Sequence, residues 1–155
     1  MGSGLLFVSP YPQDAVSLAQ MLDDASLDVI HVQGLKDAAS KLETGNFQVV
    51  VTEANLEDGT WLDLLELTRS LGTELVVTNP WADDRFWAEA INLGAYDLLA
   101  QPFQRGEVRR LTARFVPQAG LQGLRRHFLN YSYVGPKDSR WMKTESCRML
   151  FHSRP

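Results

Sequence analysis

The sequence predicts an α/β fold in which five parallel strands form one doubly wound sheet between two layers of helices. Five short, almost entirely apolar runs alternate with segments of helical spacing. Continuous apolar runs are typical of strands covered on both faces, as in a parallel sheet. The length of 155 residues suffices for one well-buried core but not for a second of ordinary size. We therefore expect a single (βα)5 domain with a short C-terminal appendage, and 2-1-3-4-5 is a common strand order of such five-stranded, doubly wound sheets.

The predicted elements follow in regular order. The strands are expected at residues 5–8, 29–32, 49–51, 75–77 and 98–99. Apolar residues at helical spacing lie between them: Ala15, Leu18, Ala19 and Leu22 in the first helix, Leu62, Leu65 and Leu67 in the third, and Phe86, Ala90 and Leu93 in the fourth. Prolines and glycines fall near the expected helix ends, which supports this division of the chain.

Composition restricts the class of protein. The chain is 45% hydrophobic and 22% charged, and no apolar run approaches the roughly 20 residues that span a bilayer. Its first residues lack a basic region followed by an apolar stretch, so no secretory signal is predicted. Cys147 is the single cysteine, which excludes an internal disulfide. We expect a soluble, cytoplasmic protein that does not associate with membranes.

Charge is divided unevenly along the chain. Residues 1–116 contain 8 basic and 17 acidic residues, a net charge of −9, whereas residues 117–155 contain 7 and 2, a net charge of +5. An acidic body repels a nucleic-acid backbone, so any nucleic-acid contact would have to come from the basic extension. That extension carries no recognisable DNA-binding motif, and docking onto the acidic body or a sister subunit is the interpretation we favour.

In such a sheet, ligands bind beyond the carboxyl ends of the strands, near the first and third. The loop after the first strand reads Ser9-Pro10-Tyr11-Pro12, and the loop after the third begins Thr52-Glu53-Ala54-Asn55. A nucleotide site would need glycines whose N–H groups face a phosphate, but the first loop has no glycine and two prolines. This pattern argues against flavin or dinucleotide binding.

Six motifs in register give these loops a family resemblance. In chain order they are Ser9-Pro10, Glu53, Leu56-Glu57-Asp58-Gly59, Thr78, Gly94-Ala95-Tyr96-Asp97 and Gln101-Pro102-Phe103. With this spacing, residues 4–116 resemble the receiver domain of bacterial two-component response regulators, a flavodoxin-like module that accepts a phosphoryl group on an aspartate. The resemblance implies a role in phosphorelay signal transduction in a bacterial cytoplasm, and a cis peptide bond before Pro102.

The departures from the family fall on its chemistry. Receivers hold Mg²⁺ with an acid pair, and Ser9 and Pro10 stand at those positions. Glu53 replaces the acceptor aspartate and Gln101 the lysine, while Thr78 preserves the switch hydroxyl. Phosphoryl transfer depends on a metal and a cation to compensate charge on the transferring oxygens. We therefore expect an atypical receiver that is not an enzyme, has no catalytic residues or cofactor, and binds Mg²⁺ weakly or not at all.

Some single residues allow two interpretations. Glu53 is either a mimic of a phosphorylated aspartate that reaches Thr78 and Gln101, or a solvated acid; we favour the solvated acid. His31 is predicted to be a hydrogen-bonded core or edge residue, since no second metal ligand lies near it in the pattern. Asp14 and Asp58 are not favoured as substitute metal ligands.

The favoured function is protein–protein interaction without phosphorylation. The face formed by the fourth helix, fifth strand and fifth helix is predicted to support a homodimer, with Trp81, Trp87, Arg109 and Arg110 as candidate interface residues. Two alternatives remain open at this stage. One is a conventional phosphoryl-accepting response regulator with unusual active-site residues, and the other is a small DNA-binding transcriptional regulator that uses its basic tail.

Overall fold

The computed structural model describes residues 3–23 and 25–116. Its main sheet contains five parallel strands in the order β2-β1-β3-β6-β7. They are β1 (Ser3–Val8), β2 (Leu27–Val32), β3 (Phe47–Glu53), β6 (Glu74–Asn79) and β7 (Asp97–Ala100); β4 (Asn55–Leu56) and β5 (Gly59–Thr60) form a small antiparallel ladder. Since β6 and β7 are the fourth and fifth strands of the main sheet, the predicted order and fold class are confirmed. The basic extension 117–155 lies outside the described residues.

Five helices cover this sheet. They are α1 (Pro12–Met21), α2 (Leu35–Thr44), α3 (Trp61–Leu71), α4 (Asp84–Leu93) and α5 (Arg105–Thr112). Side chains from α2, α3 and α4 share one buried cluster with the sheet, and those from α1 and α5 share another. The apolar strands are therefore covered on both faces, as their sequence predicts. None of the helices in the described ranges has the length and apolar character needed to cross a membrane.

Local sequence explains where α3 and α4 begin and end. Thr60 and Asp63 form a reciprocal capping box at the start of α3, and Asp83 caps α4 by accepting a 2.7 Å hydrogen bond from the Phe86 N–H. Gly72 and Gly94 follow these helices with φ values of 68° and 116°. A residue without a Cβ adopts this left-handed conformation without strain. The helices are thus fixed at both ends.

The rotation of α4 differs from the prediction. Trp87, one of the candidate interface residues, is 4% exposed and packs into the core beside Ala90, whereas Leu93 is exposed. The indole Nε1 of Trp87 donates a 3.0 Å hydrogen bond to the buried carboxylate of Asp97. This partner on β7 lets the large ring enter the core with its polar atom satisfied. The assignment of Trp87 as an interface residue is therefore wrong.

The prediction of which residues of α1 and α3 face the core is also partly wrong. In α3, Leu62 and Leu67 lie on the flanks and are exposed, while Trp61, Leu64, Leu65 and Thr68 face the core. In α1, Ala19 is exposed, unlike Ala15 and Leu18. Leucine and alanine at a helix flank cost little when they face water, so apolar identity alone does not locate the buried stripe.

Asp58 connects the β4–β5 ladder to α2. Its two carboxylate oxygens accept hydrogen bonds from the backbone N–H groups of Leu35 (2.7 Å) and Lys36 (2.9 Å). Hydrogen bonds from Lys36 and Leu35 hold the pKa of Asp58 below its ordinary value. A Cβ at Gly34 would lie 2.7 Å from an Asp58 oxygen, so only glycine leaves room for this contact. Asp58 therefore caps a helix from a distant loop.

Candidate functional site

The site lies at the edge of the sheet where the carboxyl ends of the parallel strands meet. Ser9 follows β1, Glu53 ends β3, and Gln101 follows β7. Thr78 in β6 is paired directly with Glu53 in the strand register, so their side chains leave the sheet on the same side. The structure thus brings together the four chemistry-bearing positions selected from the sequence.

Glu53 is buried, and its side chain turns inward. It is 6% exposed, and its Oε1 accepts hydrogen bonds from Gln101 Nε2 at 2.7 Å and from Ser9 Oγ at 3.3 Å. The interpretation of Glu53 as a solvated acid is therefore wrong. The Glu53 side chain is long enough to reach the loops after β1 and β7. Hydrogen-bond donors from these loops replace water around its carboxylate.

The electrostatic setting of Glu53 disfavours its charged form. Burial raises the pKa of this carboxyl group above its ordinary value, the hydrogen bonds from Gln101 and Ser9 oppose the shift, and the nearby charge of Asp14 adds to it. No lysine or arginine among the described residues forms an ion pair with Glu53. A buried carboxylate without a cation is costly, which makes this group the most unusual in the site.

Ser9 is held by four hydrogen bonds. Its N–H donates to Val32 O at 3.0 Å, and its Oγ accepts from the Tyr11 N–H at 3.2 Å while donating to Glu53. Its carbonyl oxygen lies 2.8 Å from His31 Nε2. Because a carbonyl only accepts, His31 must carry its proton on Nε2. His31 therefore fixes the loop after β1, in agreement with its predicted role as a hydrogen-bonded residue.

The hydroxyl of Thr78 is fully buried, and its Oγ1 has no hydrogen-bond partner among the described residues. The surrounding backbone is fixed, since the Ala54 N–H donates to Thr78 O at 3.1 Å. Buried hydroxyls are seldom left unpaired, because the lost hydrogen bonds with water cost free energy. Thr78 thus offers an unused acceptor and donor next to Glu53.

The loops after β6 and β7 present an exposed tryptophan at the rim. Asn79 Oδ1 accepts a 2.7 Å hydrogen bond from the Trp81 N–H, and Asn79 O accepts from the Gln101 N–H at 3.4 Å. The Gln101–Pro102 peptide bond is cis. Trp81 is 84% exposed, so its ring projects from a well-defined turn. This exposure leaves Trp81 available as a candidate interface residue.

The residues present do not suit the Mg²⁺ ion that the family resemblance implies. Ser9 offers a hydroxyl that already donates a hydrogen bond to Glu53, and Pro10 offers no side-chain oxygen. Mg²⁺ requires near-octahedral oxygen ligands, usually including carboxylates. Across the described part of the chain, no three His, Cys, Asp or Glu side chains are grouped closely enough to hold a metal ion.

Sequence reasoning missed two contacts near the fifth strand. Asp97 is buried and accepts hydrogen bonds from Trp87 and from the Leu98 N–H. Tyr96 accepts a 2.9 Å hydrogen bond from Arg114, whose guanidinium lies 5.8 Å from the ring centre. The sequence did contain a sign of the contact between Asp97 and Trp87, because an aspartate at the start of an otherwise apolar strand needs a hydrogen-bond donor. The remaining predicted interface residues, Arg109 and Arg110, are exposed on α5.

Comparisons with known proteins agree with this architecture. No protein-family model matches the chain. The swarming motility regulation protein RssB of Serratia marcescens is 29% identical over 106 residues, which cover 67% of this chain and 48% of that protein. The chain therefore spans about half the length of this relative.

Solved structures are similar in fold. The chemotaxis response regulator CheY4 of Vibrio cholerae has a TM-score of 0.66 at 18% identity, covering 75% of this chain and 100% of that chain. A CheY-like receiver domain protein from Methanospirillum hungatei has a TM-score of 0.65 at 18% identity, covering 73% and 92%. The signal receiver domain of an HD domain-containing protein from Pseudomonas fluorescens has a TM-score of 0.66 at 19% identity, covering 74% and 94%. The chain therefore has the receiver fold of response regulators, as the motifs in its sequence predict.

Proposed function

We propose that this chain is a receiver-fold signalling module that acts through protein–protein interaction, without aspartate phosphorylation and without enzymatic activity of its own. One observation carries the proposal. The acceptor position holds a buried glutamate whose Oε1 is already engaged by Ser9 and Gln101. A group held in this way is poorly placed to attack a phosphoryl donor.

The surroundings of Glu53 support the same conclusion. Transfer of a phosphoryl group needs positive charge around its equatorial oxygens. Ser9 and Pro10 supply no metal-binding carboxylates, and Gln101 supplies a neutral amide. Mg²⁺ binding is accordingly proposed to be weak or absent, and Gln101 stabilises the carboxylate of Glu53 instead of an incoming phosphate.

The similarity to a protein named for the regulation of swarming motility is consistent with a signalling role. That protein is about twice as long as the matched region, so its partners and output are not transferred to this chain. Receiver domains recur among the solved structures whose fold is similar to that of this chain. We propose a cytoplasmic bacterial module whose partner is another protein.

The same proposal includes self-association through α4, β7 and α5. With Trp87 buried, the contact relies on charge: α4 carries Asp84 and Glu89, and α5 carries Arg109 and Arg110. In a two-fold contact the acidic helix of one copy meets the basic helix of the other. The exposed Trp81 lies in the loop just before α4. The contact would be constitutive, since no phosphorylation step controls it.

Intact-mass measurement after incubation with acetyl phosphate and Mg²⁺ tests the absence of phosphorylation. We expect the wild-type mass to stay unchanged. Glu53→Gln serves as the matched control, because it keeps the side-chain length and an acceptor oxygen. A phosphoryl adduct on the wild type that is missing from Glu53→Gln would overturn the proposal and establish the conventional phosphoryl-accepting function.

A further inference from the structure

At the carboxyl edge of the sheet, the Glu53 carboxylate has no ion-pair partner among the described residues. Glu53 is a buried carboxylate whose two hydrogen-bond donors, Ser9 and Gln101, are neutral. Asp14 places a second negative charge nearby, and the buried Thr78 hydroxyl has no hydrogen-bond partner within residues 3–23 and 25–116. An inserted cation with several N–H donors would compensate the carboxylates and give the hydroxyl oxygen a donor.

Two exposed aromatic residues lie in the loops that follow the strands on either side of β3. Tyr11 follows β1 and is 52% exposed, while Trp81 follows β6 and is 84% exposed. β3, which ends at Glu53, lies between these two strands. Neighbouring strands are about 4.8 Å apart, so the two loops stand roughly 10 Å apart on either side of Glu53. Aromatic faces attract guanidinium and ammonium groups.

We propose that this edge is a docking site for a basic segment, and that its occupant is the extension formed by residues 117–155 of the same chain. An arginine or lysine side chain enters between Tyr11 and Trp81 and pairs with Glu53. Arginine suits the site best, because its planar donors reach a carboxylate and a hydroxyl together while its face stacks on an indole. This contact goes beyond the proposed function, since it assigns a ligand to the edge rather than a signalling role to the domain.

Charge and chain length favour the extension as occupant. It carries a net charge of +5 against −9 for residues 1–116, and Arg125 and Arg126 provide two adjacent cations. Its 39 residues begin directly after Val116. Extended chain covers about 3.3 Å per residue, so ten residues exceed the roughly 23 Å length of a seven-residue strand. Reaching the carboxyl edge therefore needs only part of the extension.

Cys147, the single cysteine among the 155 residues, allows a direct test in this chain. A nitroxide spin label on Cys147 broadens the amide signals of residues near it in ¹⁵N NMR spectra. We expect broadening at Tyr11, Ala54 and Trp81 on the carboxyl edge. The amides of Gly45 and Gly72, which follow the C-terminal ends of α2 and α3, are expected to stay sharp. Broadening that is absent, or spread evenly over the domain, overturns the proposal.

Two test variants and one control variant identify the contact. Replacing Glu53 with glutamine, or all seven basic residues of the extension with glutamine, is expected to abolish the broadening at the carboxyl edge. Replacing Lys36 and Lys41 on α2 with glutamine is expected to leave it unchanged. The spectra themselves report whether each variant is folded. Broadening that persists in both test variants shows that the acid–base contact is not responsible and contradicts the proposal.

A mixing experiment distinguishes a basic segment of the same molecule from one supplied by a second copy of the chain. Spin-labelled chain without ¹⁵N is mixed with ¹⁵N-labelled chain that carries no spin label. We expect no broadening in this mixture, because the occupant comes from the same molecule. Broadening that also occurs in the mixture assigns the contact to a second copy and overturns the intramolecular site. None of these outcomes depends on whether Glu53 accepts a phosphoryl group.

Discussion

At the scale of single residues, Glu53 and Asp58 show how two acids five positions apart acquire opposite properties. Glu53 is buried at the end of β3, and burial raises its pKa. Asp58 lies in an exposed turn, and the N–H groups at the start of α2 lower its pKa. Burial penalises a charged carboxylate, whereas donated hydrogen bonds favour it. The local sequence does not distinguish these two environments.

The Asp58 cap leads to a prediction about stability. Replacing Asp58 with asparagine removes the charge and one acceptor oxygen from the start of α2. We expect the free energy of unfolding at pH 7 to fall by about 1 kcal/mol, a typical value for a lost helix cap. Urea denaturation of wild type and variant measures the difference.

The effect of Asp58 depends on pH in a defined direction. Because its pKa is lower in the folded state, its contribution to stability is present above the unfolded pKa of about 4 and is lost as the pH falls through the folded value. The difference between wild type and Asp58→Asn should therefore shrink as the pH falls from 4 towards 2. Glu57→Gln, a change at the adjacent exposed acid, is the control and should show no such trend. A difference that stays constant over this range contradicts the assignment.

At the scale of the elements, α4 is positioned by one buried hydrogen bond as well as by its caps. Its N-terminus is fixed by Asp83 and its C-terminus by Gly94. Between them, Trp87 reaches Asp97 at the start of β7. The orientation of the helix is therefore set jointly by its own ends and by the neighbouring strand.

Replacing Trp87 with phenylalanine tests this contribution. The variant keeps an aromatic ring in the core but removes the N–H that Asp97 accepts. We expect a loss of about 1–3 kcal/mol in the free energy of unfolding, because a buried carboxylate loses a donor. Trp81→Phe, the same change at an exposed position, should stay within about 0.5 kcal/mol of wild type. Equal effects of the two changes in thermal or urea denaturation would contradict this explanation.

At the scale of the whole molecule, α5 is the most basic of the five described helices. It carries Arg105, Arg109 and Arg110 with a single acid, Glu107, whereas α2, α3 and α4 together carry six acidic and four basic residues. Arg105 forms an exposed 3.4 Å ion pair with Asp23. Because exposed pairs of this kind contribute little to stability, the charge pattern is better suited to association.

Sedimentation velocity tests the proposed dimer. The wild type is expected to sediment as a dimer, and Arg109→Glu with Arg110→Glu as a monomer, because like charges then oppose each other across the contact. Lys36→Glu with Lys41→Glu makes the same change in net charge on α2, on the other face of the sheet, and should remain dimeric. A wild type that stays monomeric at high concentration would refute the dimer.

The sequence by itself determined the five parallel strands, their order and the loops that meet at the carboxyl edge. The strands and loops follow from apolar runs, helical spacing and motif positions, which are local along the chain, whereas the strand order follows from the doubly wound fold class that these patterns indicate. Tertiary structure decided that Glu53 is buried, that Trp87 faces the core and that Asp58 caps α2. Each outcome depends on a partner distant in sequence, such as Gln101 for Glu53 or Asp97 for Trp87. Periodicity shows which residue types recur along an element, but the partner of a polar side chain is set by how the elements pack.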